Sequence, residues 1–341
     1  MTTADVRFGI IGLAAGMTRC TMIARTSGAR LVAVSDPETE RGRQAEQQFG
    51  CDWHADHAEL LDRNDVDVVI ITTPAATHAE IGSKAAAAGK HVVVARPLEA
   101  TLPRADRLIA ACRSAKVTLA VDFPLRYHPT NQRIRRAVEE ELFGRLILGE
   151  TRLKWWRSSA YFRGSWRGTW QLAGGGCLIN EALHQVDLLQ WFLGPVERVI
   201  GLTATLTHDI ESEDLALALL ECHGGAFGSI SATITHPSNL PVRLELHGEK
   251  GGVVTIGNRL RYWMVKQDRE EARQAQNPED FPFEYGGPAN IVEDMIAVVR
   301  EGTTPACDGQ EGRKSLELAL AVYEAARLGK PVRLPLKTKA R

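Results

Sequence analysis

Apolar positions follow two rhythms along the chain. In the first third, short runs of apolar or β-branched residues alternate with longer stretches of mixed polarity. The runs are VRFGIIG, LVAVSD, DVDVVIITTP, HVVVARP and VTLAVDF; between them GMTRCTMIARTSG, ETERGRQAEQQFG, HAEIGSKAAAAGK and LPRADRLIAACRSAK read as helices. Near-continuous apolar runs suit strands buried on both faces. Strands separated by helices of about 10–15 residues imply right-handed crossovers and a parallel sheet.

After residue 122 the rhythm changes. HPTNQRIRRAVEEELFG reads as a helix. Longer segments with looser, period-two alternation follow: LILGETRLKWW, VERVIGLTATLT, DLALALLECHG, GAFGSISATITH, VRLELHGEKGGVVTIG and RLRYWMVKQ. Such segments, joined by glycine-rich turns, predict a mostly antiparallel sheet. A helix over about 177–193 is inserted in it, helices over 288–301 and 311–328 follow, and VRLPL ends the pattern. The expected architecture is α/β, with a parallel domain over 1–122 and an α+β domain over 123–341 built on a large open sheet. The tail KTKAR is expected to fray.

Composition narrows the classes. The 341 residues carry a net charge of -1, with 44% hydrophobic and 24% charged residues, which excludes a strongly basic nucleic-acid binder. Cys20, Cys51, Cys112, Cys177, Cys222 and Cys307 are scattered with no CxxC, so no metal site and no disulfide framework is expected. The start MTTADVRFGI lacks the pattern of a secretory signal, and no apolar run reaches the roughly 18 residues of a membrane span. A cytoplasmic location, with neither membrane nor nucleic acid as partner, is the expectation.

Gly12-Leu13-Ala14-Ala15-Gly16-Met17 occupies the turn from the first strand into the first helix. A dinucleotide's pyrophosphate sits there, on exposed helix N–H groups. The G-x-G-x-x-G pattern is imperfect, because Ala14 replaces the second glycine and Met17 the third; Gly16 is expected to compensate by shifting the turn. Asp36 ends the second strand, where a carboxylate accepts the ribose hydroxyls and repels a 2′-phosphate. NAD is therefore the expected cofactor. Arg41 and Arg43 nearby keep NADP as the alternative.

ITTPAATHAE, AGKHVVVARPLEAT, LRYHPTNQ, SWRGTWQLAGGGCLINEALHQVDLLQWFLG and DGQEGRKSLELALAVYEAARLGKPVRLPL occur in this order. Together they resemble the glucose–fructose oxidoreductase / inositol dehydrogenase (Gfo/Idh/MocA) family over almost the full chain. The resemblance implies a Rossmann domain, a nicotinamide cofactor, and oxidation or reduction of a CH–OH group on a sugar, cyclitol or carboxylated ring diol. It also implies a homodimer or homotetramer formed through the C-terminal sheet. Thr73, Pro74 and His78 match the family's loop along the cofactor, His78 reading equally as a helix-start residue. His184 matches the histidine that faces the substrate hydroxyl, with imidazole suited to acid–base work and Asp187 at i+3 to orient it.

Two departures bear on mechanism. Asn180 and Ala182 stand where many members carry Asp and Gly, so position 180 bonds a hydroxyl but takes no proton. Ala95-Arg96-Pro97 replaces the family's Glu-Lys-Pro. A desolvated lysine titrates near neutrality and an arginine does not, so Arg96 is expected to hold cofactor, substrate anion or alkoxide by charge. Proton transfer then falls to His184, Tyr161 or water. Two alternatives stand beside the dehydrogenase reading. One is a tight-cofactor enzyme using transient oxidation for hydrolysis or elimination; the other is an inactive cofactor- or sugar-binding homologue that lost its lysine.

LKWWRSSAYFRGSWRGTW interleaves Trp155, Trp156, Tyr161, Trp166 and Trp170 with Lys154, Arg157, Arg163 and Arg167. Aromatic faces stack on sugar rings and guanidiniums clamp carboxylates or phosphates, so a small, anionic substrate is expected. Tyr161, Trp166, Arg167 and Asn180 are the candidate substrate residues. Arg126 is read either as a further one or as an interdomain salt bridge. Gly174, Gly175 and Gly176 are read as forming the site's entry.

Overall fold

The computed structural model describes residues 4–267, 271–274 and 285–337. The expected fraying of the tail falls almost wholly on residues 338–341, outside that range. Two units emerge: residues 4–124 with 288–313, and 125–287 with the residues from 314 onward.

In the first unit, β1 (Val6–Ile11), α1 (Leu13–Arg25), β2 (Ala29–Ser35), α2 (Thr39–Phe49), β3 (Asp52–His54), α3 (His57–Leu61), β4 (Val68–Ile71), α4 (His78–Ala87), β5 (His91–Ala95), α5 (Leu102–Ser114) and β6 (Leu119–Asp122) follow in turn. The short pair β3 and α3 carries too little apolar pattern to be legible in advance. The six strands lie in the order β3-β2-β1-β4-β5-β6, all pairs parallel. This is the doubly wound order of a Rossmann sheet, which opens a ligand crevice at the carboxyl ends where the order reverses beside β1. Burial explains the apolar runs: all four residues of β4 and the central Val92, Val93 and Val94 of β5 are buried.

One segment assigned from sequence to the second domain packs with the first unit instead. The helix over Ile291–Glu301 (α11 in chain order) buries Ile291, Val292, Met295 and Val298, and Asn290 caps its start. Arg300 donates to the carbonyl of Ala4 at 2.9 Å, and the backbone at Ala306 donates to Asp294. An amphipathic helix goes wherever its apolar stripe finds cover, and sequence order does not say where that is.

The second unit holds α6 (Pro129–Glu139), β7 (Leu146–Lys154), α7 (Ser159–Phe162), α8 (Trp170–Ala173), α9 (Cys177–Asn180), α10 (Leu183–Leu193), β8 (Val196–Ala204), β9 (Leu215–Cys222), β10 (Phe227–Thr233), β11 (Arg243–Gly248), β12 (Gly251–Ile256), β13 (Arg259–Gln267), β14 (Glu271–Gln274), α12 (Gly309–Leu328, whose last turns lie here) and β15 (Val332–Arg333). Its nine strands run β14-β13-β12-β11-β7-β10-β9-β8-β15, with β7–β10 parallel and every other pair antiparallel. One face is covered by α10. Gly149 on β7 leaves room for Leu189 and Leu193, whose methyls would lie about 3 Å from any added Cβ.

Two elements differ from expectation. The helix read over 177–193 is two helices, broken at Glu181 and Ala182. The strand read through Trp156 ends at Lys154, although Trp155 still donates to the Thr233 carbonyl of β10 and Trp156 forms an isolated bridge with Thr235.

Candidate active site

At the cofactor end of the first unit, Gly12 holds φ +92, a conformation that favours glycine. A Cβ there would meet the Thr73 methyl at 2.9 Å and the backbone of Thr72 and Thr73 at 3.1 Å. The turn is thus pressed onto the loop after β4, and Thr72 Oγ1 donates to the Gly12 carbonyl. Leu13 opens α1 beneath it, while Ala14 and Ala15 are exposed on its first turn. Gly16 does not shift the turn, contrary to expectation. It is helical, and a Cβ there would come within 2.9 Å of Ile10 and Thr72, so it serves helix–strand packing one residue before the usual third glycine. Met17 is half-buried on the same turn.

Asp36 follows β2 and is 3% exposed. Its Oδ2 accepts from the Leu13 N–H at 2.7 Å; Oδ1 accepts from the Glu38 N–H at 2.9 Å and from Arg41 at 3.0 Å. The carboxylate therefore braces the glycine turn as well as standing at the ribose position.

The loops after β4 and β5 are stitched to each other. His78 is buried, its Nδ1 lying 3.1 Å from the Pro97 carbonyl and its Nε2 2.9 Å from that of Thr73. Burial holds its pKa below the usual imidazole value. His78 opens α4, in keeping with its helix-start reading, and its ring staples the two loops. Arg104 adds a second stitch, bonding Glu99 at 2.7 Å and the Ala76 carbonyl. Thr73 bonds Thr77 through its hydroxyl at 2.6 Å, and the carbonyl of Pro74 accepts from Thr77. Half-buried Ala95 ends β5, and half-buried Arg96 follows it at the start of the braced loop. The first turn of α1, the glycine at positive φ and the acid after β2 together fit a dinucleotide.

In the second unit, Asn180 and His184 flank the break between α9 and α10, both half-buried. The Asn180 amide donates to the Gly175 carbonyl at 2.9 Å, fixing its side chain. The glycines before it answer to protein packing. Gly175 has φ +157, with a Cβ 2.2 Å from the Tyr323 hydroxyl, and a Cβ on Gly176 would lie 1.9 Å from the Glu213 carbonyl. Glu213, 2% exposed, accepts from the Gly176 and Leu178 N–H groups at 2.8 Å and from Tyr323 at 2.9 Å. Burial raises its carboxyl above the ordinary range.

Arg126 forms a salt bridge, as one of its two readings had it, but with a partner in its own unit. It is 2% exposed and donates from Nε and Nη2 to the two oxygens of Asp187, at 2.9 and 2.8 Å, within this one unit. Ser315 also donates to Asp187, at 2.6 Å. Asp187 is thus held by a buried guanidinium and a hydroxyl.

The aromatic-basic segment folds back over the break. Arg157 donates to both oxygens of Glu181, and the Tyr161 hydroxyl donates to Oε1 at 3.1 Å. Burial, then Glu181, holds the Tyr161 pKa above the usual phenol value. The Arg167 guanidinium lies 5.0 Å over the Tyr161 ring and 4.9 Å over Trp166. Trp155 and Trp170 donate through their indole N–H groups to the carbonyls of Leu240 and Glu211, so they anchor loops. Asp214 accepts from three consecutive N–H groups, of Leu206, Thr207 and His208, and its Oδ2 meets His208 Nδ1 at 3.1 Å. His208 Nε2 lies 2.7 Å from the Arg157 carbonyl. Glu181, Glu213, Asp214 and His208 carry no sequence signal of their own; only Glu181, beside Asn180, lies near a motif.

Among the described residues no helix is long and apolar enough to cross a membrane. Residues 6–123 match the model of an oxidoreductase family with an NAD-binding Rossmann fold, and 131–254 match the GFO/IDH/MocA C-terminal domain. The chain is 32% identical to the WlbA dehydrogenase of Bordetella pertussis, whose crystal structure is a complex with NADH and UDP-GlcNAcA. The likeness covers 98% of this chain and 100% of that one, with a TM-score of 0.88. It is 29% identical to D-apiose dehydrogenase of Paraburkholderia graminis, over 90% of this chain and 84% of that protein. To the NAD(+)-dependent scyllo-inositol 2-dehydrogenase of Bacillus subtilis it is 27% identical, over 93% and 92%. With both domain models matched in order and a relative above 30% identity along its whole length, the chain belongs to the Gfo/Idh/MocA family of NAD-binding oxidoreductases.

Proposed function

We propose that this protein oxidises a ring hydroxyl of a sugar that carries an anionic group, a nucleotide-linked uronate being the substrate class. The observation that carries the reading is the segment 155–167, where arginines lie over aromatic faces and Arg157 and Tyr161 are bonded to Glu181, between Asn180 and His184 in sequence. The likeness to a dehydrogenase crystallised with UDP-GlcNAcA supports the same class.

Bound NAD supplies the hydride acceptor. The first turn of α1 and Asp36 hold its pyrophosphate and ribose, Arg41 yielding its place on Asp36 Oδ1. His184 takes the proton of the substrate hydroxyl, and Asn180 orients that hydroxyl through its fixed amide. Arg96 opposes the developing alkoxide with a charge that stays on across the working pH range. The protein works as an oligomer through the exposed face of its larger sheet, where Leu202, Leu219 and Phe227 are 63%, 58% and 57% exposed.

The test is reduction of NAD⁺, followed by absorbance, with UDP-GlcNAcA, UDP-GlcNAc and scyllo-inositol. Turnover of the uronate is expected, falling about 10²–10⁴-fold in His184→Asn, as for loss of a general base. Turnover of neutral polyols alone would sink the reading.

A further inference from the structure

Three arginines of the aromatic-basic segment differ in what surrounds them. Arg157 is spent on Glu181, which is 7% exposed and takes both its Nε and Nη2. The pair is neutral, so Arg157 offers a ligand little net charge. Arg163 is exposed, where water and salt screen it. Arg167 is half-buried, its guanidinium 5.0 Å over the Tyr161 ring and 4.9 Å over that of Trp166, with Nη1 3.3 Å from Ser165 Oγ. Among the described residues no carboxylate lies within ion-pair distance of it. Together with Arg163, Ser159, Ser165 and Thr169 it lines an open cavity of about 410 Å³. Asp209 and Glu211 also line this cavity, but both are exposed, and Glu211 accepts from the Trp170 N–H.

Resting on the substrate class above, we infer that Arg167 is the residue that reads the substrate's anionic group, and that Glu181 makes it so by neutralising Arg157. A guanidinium held by two ring faces keeps its N–H edge in one plane, the geometry that takes a carboxylate or a phosphate through two bonds. Glu181 is the positioning residue. It ties Arg157 and Tyr161 to the helix break, leaving Tyr161 as one wall of the Arg167 stack.

Calorimetric binding with NADH present tests this on Arg167→Gln, Arg167→Lys, Glu181→Gln and the double variant Arg167→Gln/Glu181→Gln, each checked for a native melting transition. The probes are UDP-GlcNAcA, UDP-GlcNAc, glucuronate and inorganic pyrophosphate. Arg167→Gln is expected to weaken UDP-GlcNAcA by about tenfold or more, the scale of a charged hydrogen bond. Arg167→Lys should fall between. The double variant should recover part of the loss because Arg157 is released, an outcome a purely structural Glu181 would not produce. A loss confined to UDP-GlcNAcA assigns a carboxylate, and an equal loss for UDP-GlcNAc assigns the diphosphate. Unchanged binding of both by Arg167→Gln overturns the inference and leaves the substrate class standing. If the wild type binds neither nucleotide sugar, that class falls, and Arg167 is judged on the two simple anions. If it binds none of the four, the inference falls too.

Discussion

Arg96 carries a charge that pH does not remove, whereas a lysine in a partly desolvated setting titrates. Arg96→Lys is therefore expected to remain active and to add a second ionisation to the pH profile of kcat, which rate measurements across pH would detect. A variant active where the wild type is silent would mean that the arginine had abolished turnover. The other arginine that sequence placed near the substrate has a different task. Side chains of Arg126 and Asp187 are 3% and 1% exposed, and removing one partner of a buried pair leaves the other's charge unmet. Arg126→Ala should cost about 3–5 kcal/mol in a denaturant melt. A raised KM with unchanged stability would restore Arg126 as a ligand.

At the level of elements, the part of the second unit around Asn180 and Glu181 depends on short pieces held by carboxylates. Glu213 caps the entry to α9, Glu181 holds the segment after β7, and Asp214 gathers the turn at 206–208. Burial alone would raise the Asp214 pKa, but the N–H groups of Leu206, His208 and Thr207 and the His208 ring outweigh it, so the carboxyl sits below its ordinary value. A depressed folded pKa stabilises above the unfolded value, near 3.9, and the contribution fades as pH falls through the folded one. Asp214→Asn should thus cost about 1–3 kcal/mol at neutral pH. The gap to wild type should close below about pH 4 in melts across pH. A gap that persists undiminished in acid would show that the loss is not one of ionic bonding.

For the whole molecule, the exposed face of the nine-stranded sheet sets the expectation. Ile200 pairs with Leu219 and Leu202 with Leu217 across β8 and β9, so an apolar strip spans two strands, with Phe227 on β10 beyond it, opposite Glu221. Scattered exposed leucines are ordinary; a contiguous patch marks an interface. Light scattering after size-exclusion chromatography should show an oligomer, and Leu219→Glu should shift it to a smaller species without weakening NAD binding. A monomeric wild type would refute this.

What the sequence determined by itself is local and repetitive. Apolar runs such as DVDVVIITTP fix strands because both faces must be buried, and Gly12 and Asp36 are legible because backbone conformation and a dinucleotide's charge demand those residue types at those places. The order of motifs marked Asn180, His184 and the altered Arg96 in the same way. The partners of the arginines were decided only by tertiary structure. Arg126 meets an acid 61 residues away, Arg157 one 24 residues away, and the Gly176 N–H meets Glu213 at a separation of 37. The same holds for His78, whose ring lies between the carbonyls of two loops, and for the segment 288–313, which joins the first unit. A buried charge must find an opposite charge or a set of hydrogen bonds somewhere, and which one it finds depends on how distant segments pack, which no local pattern records.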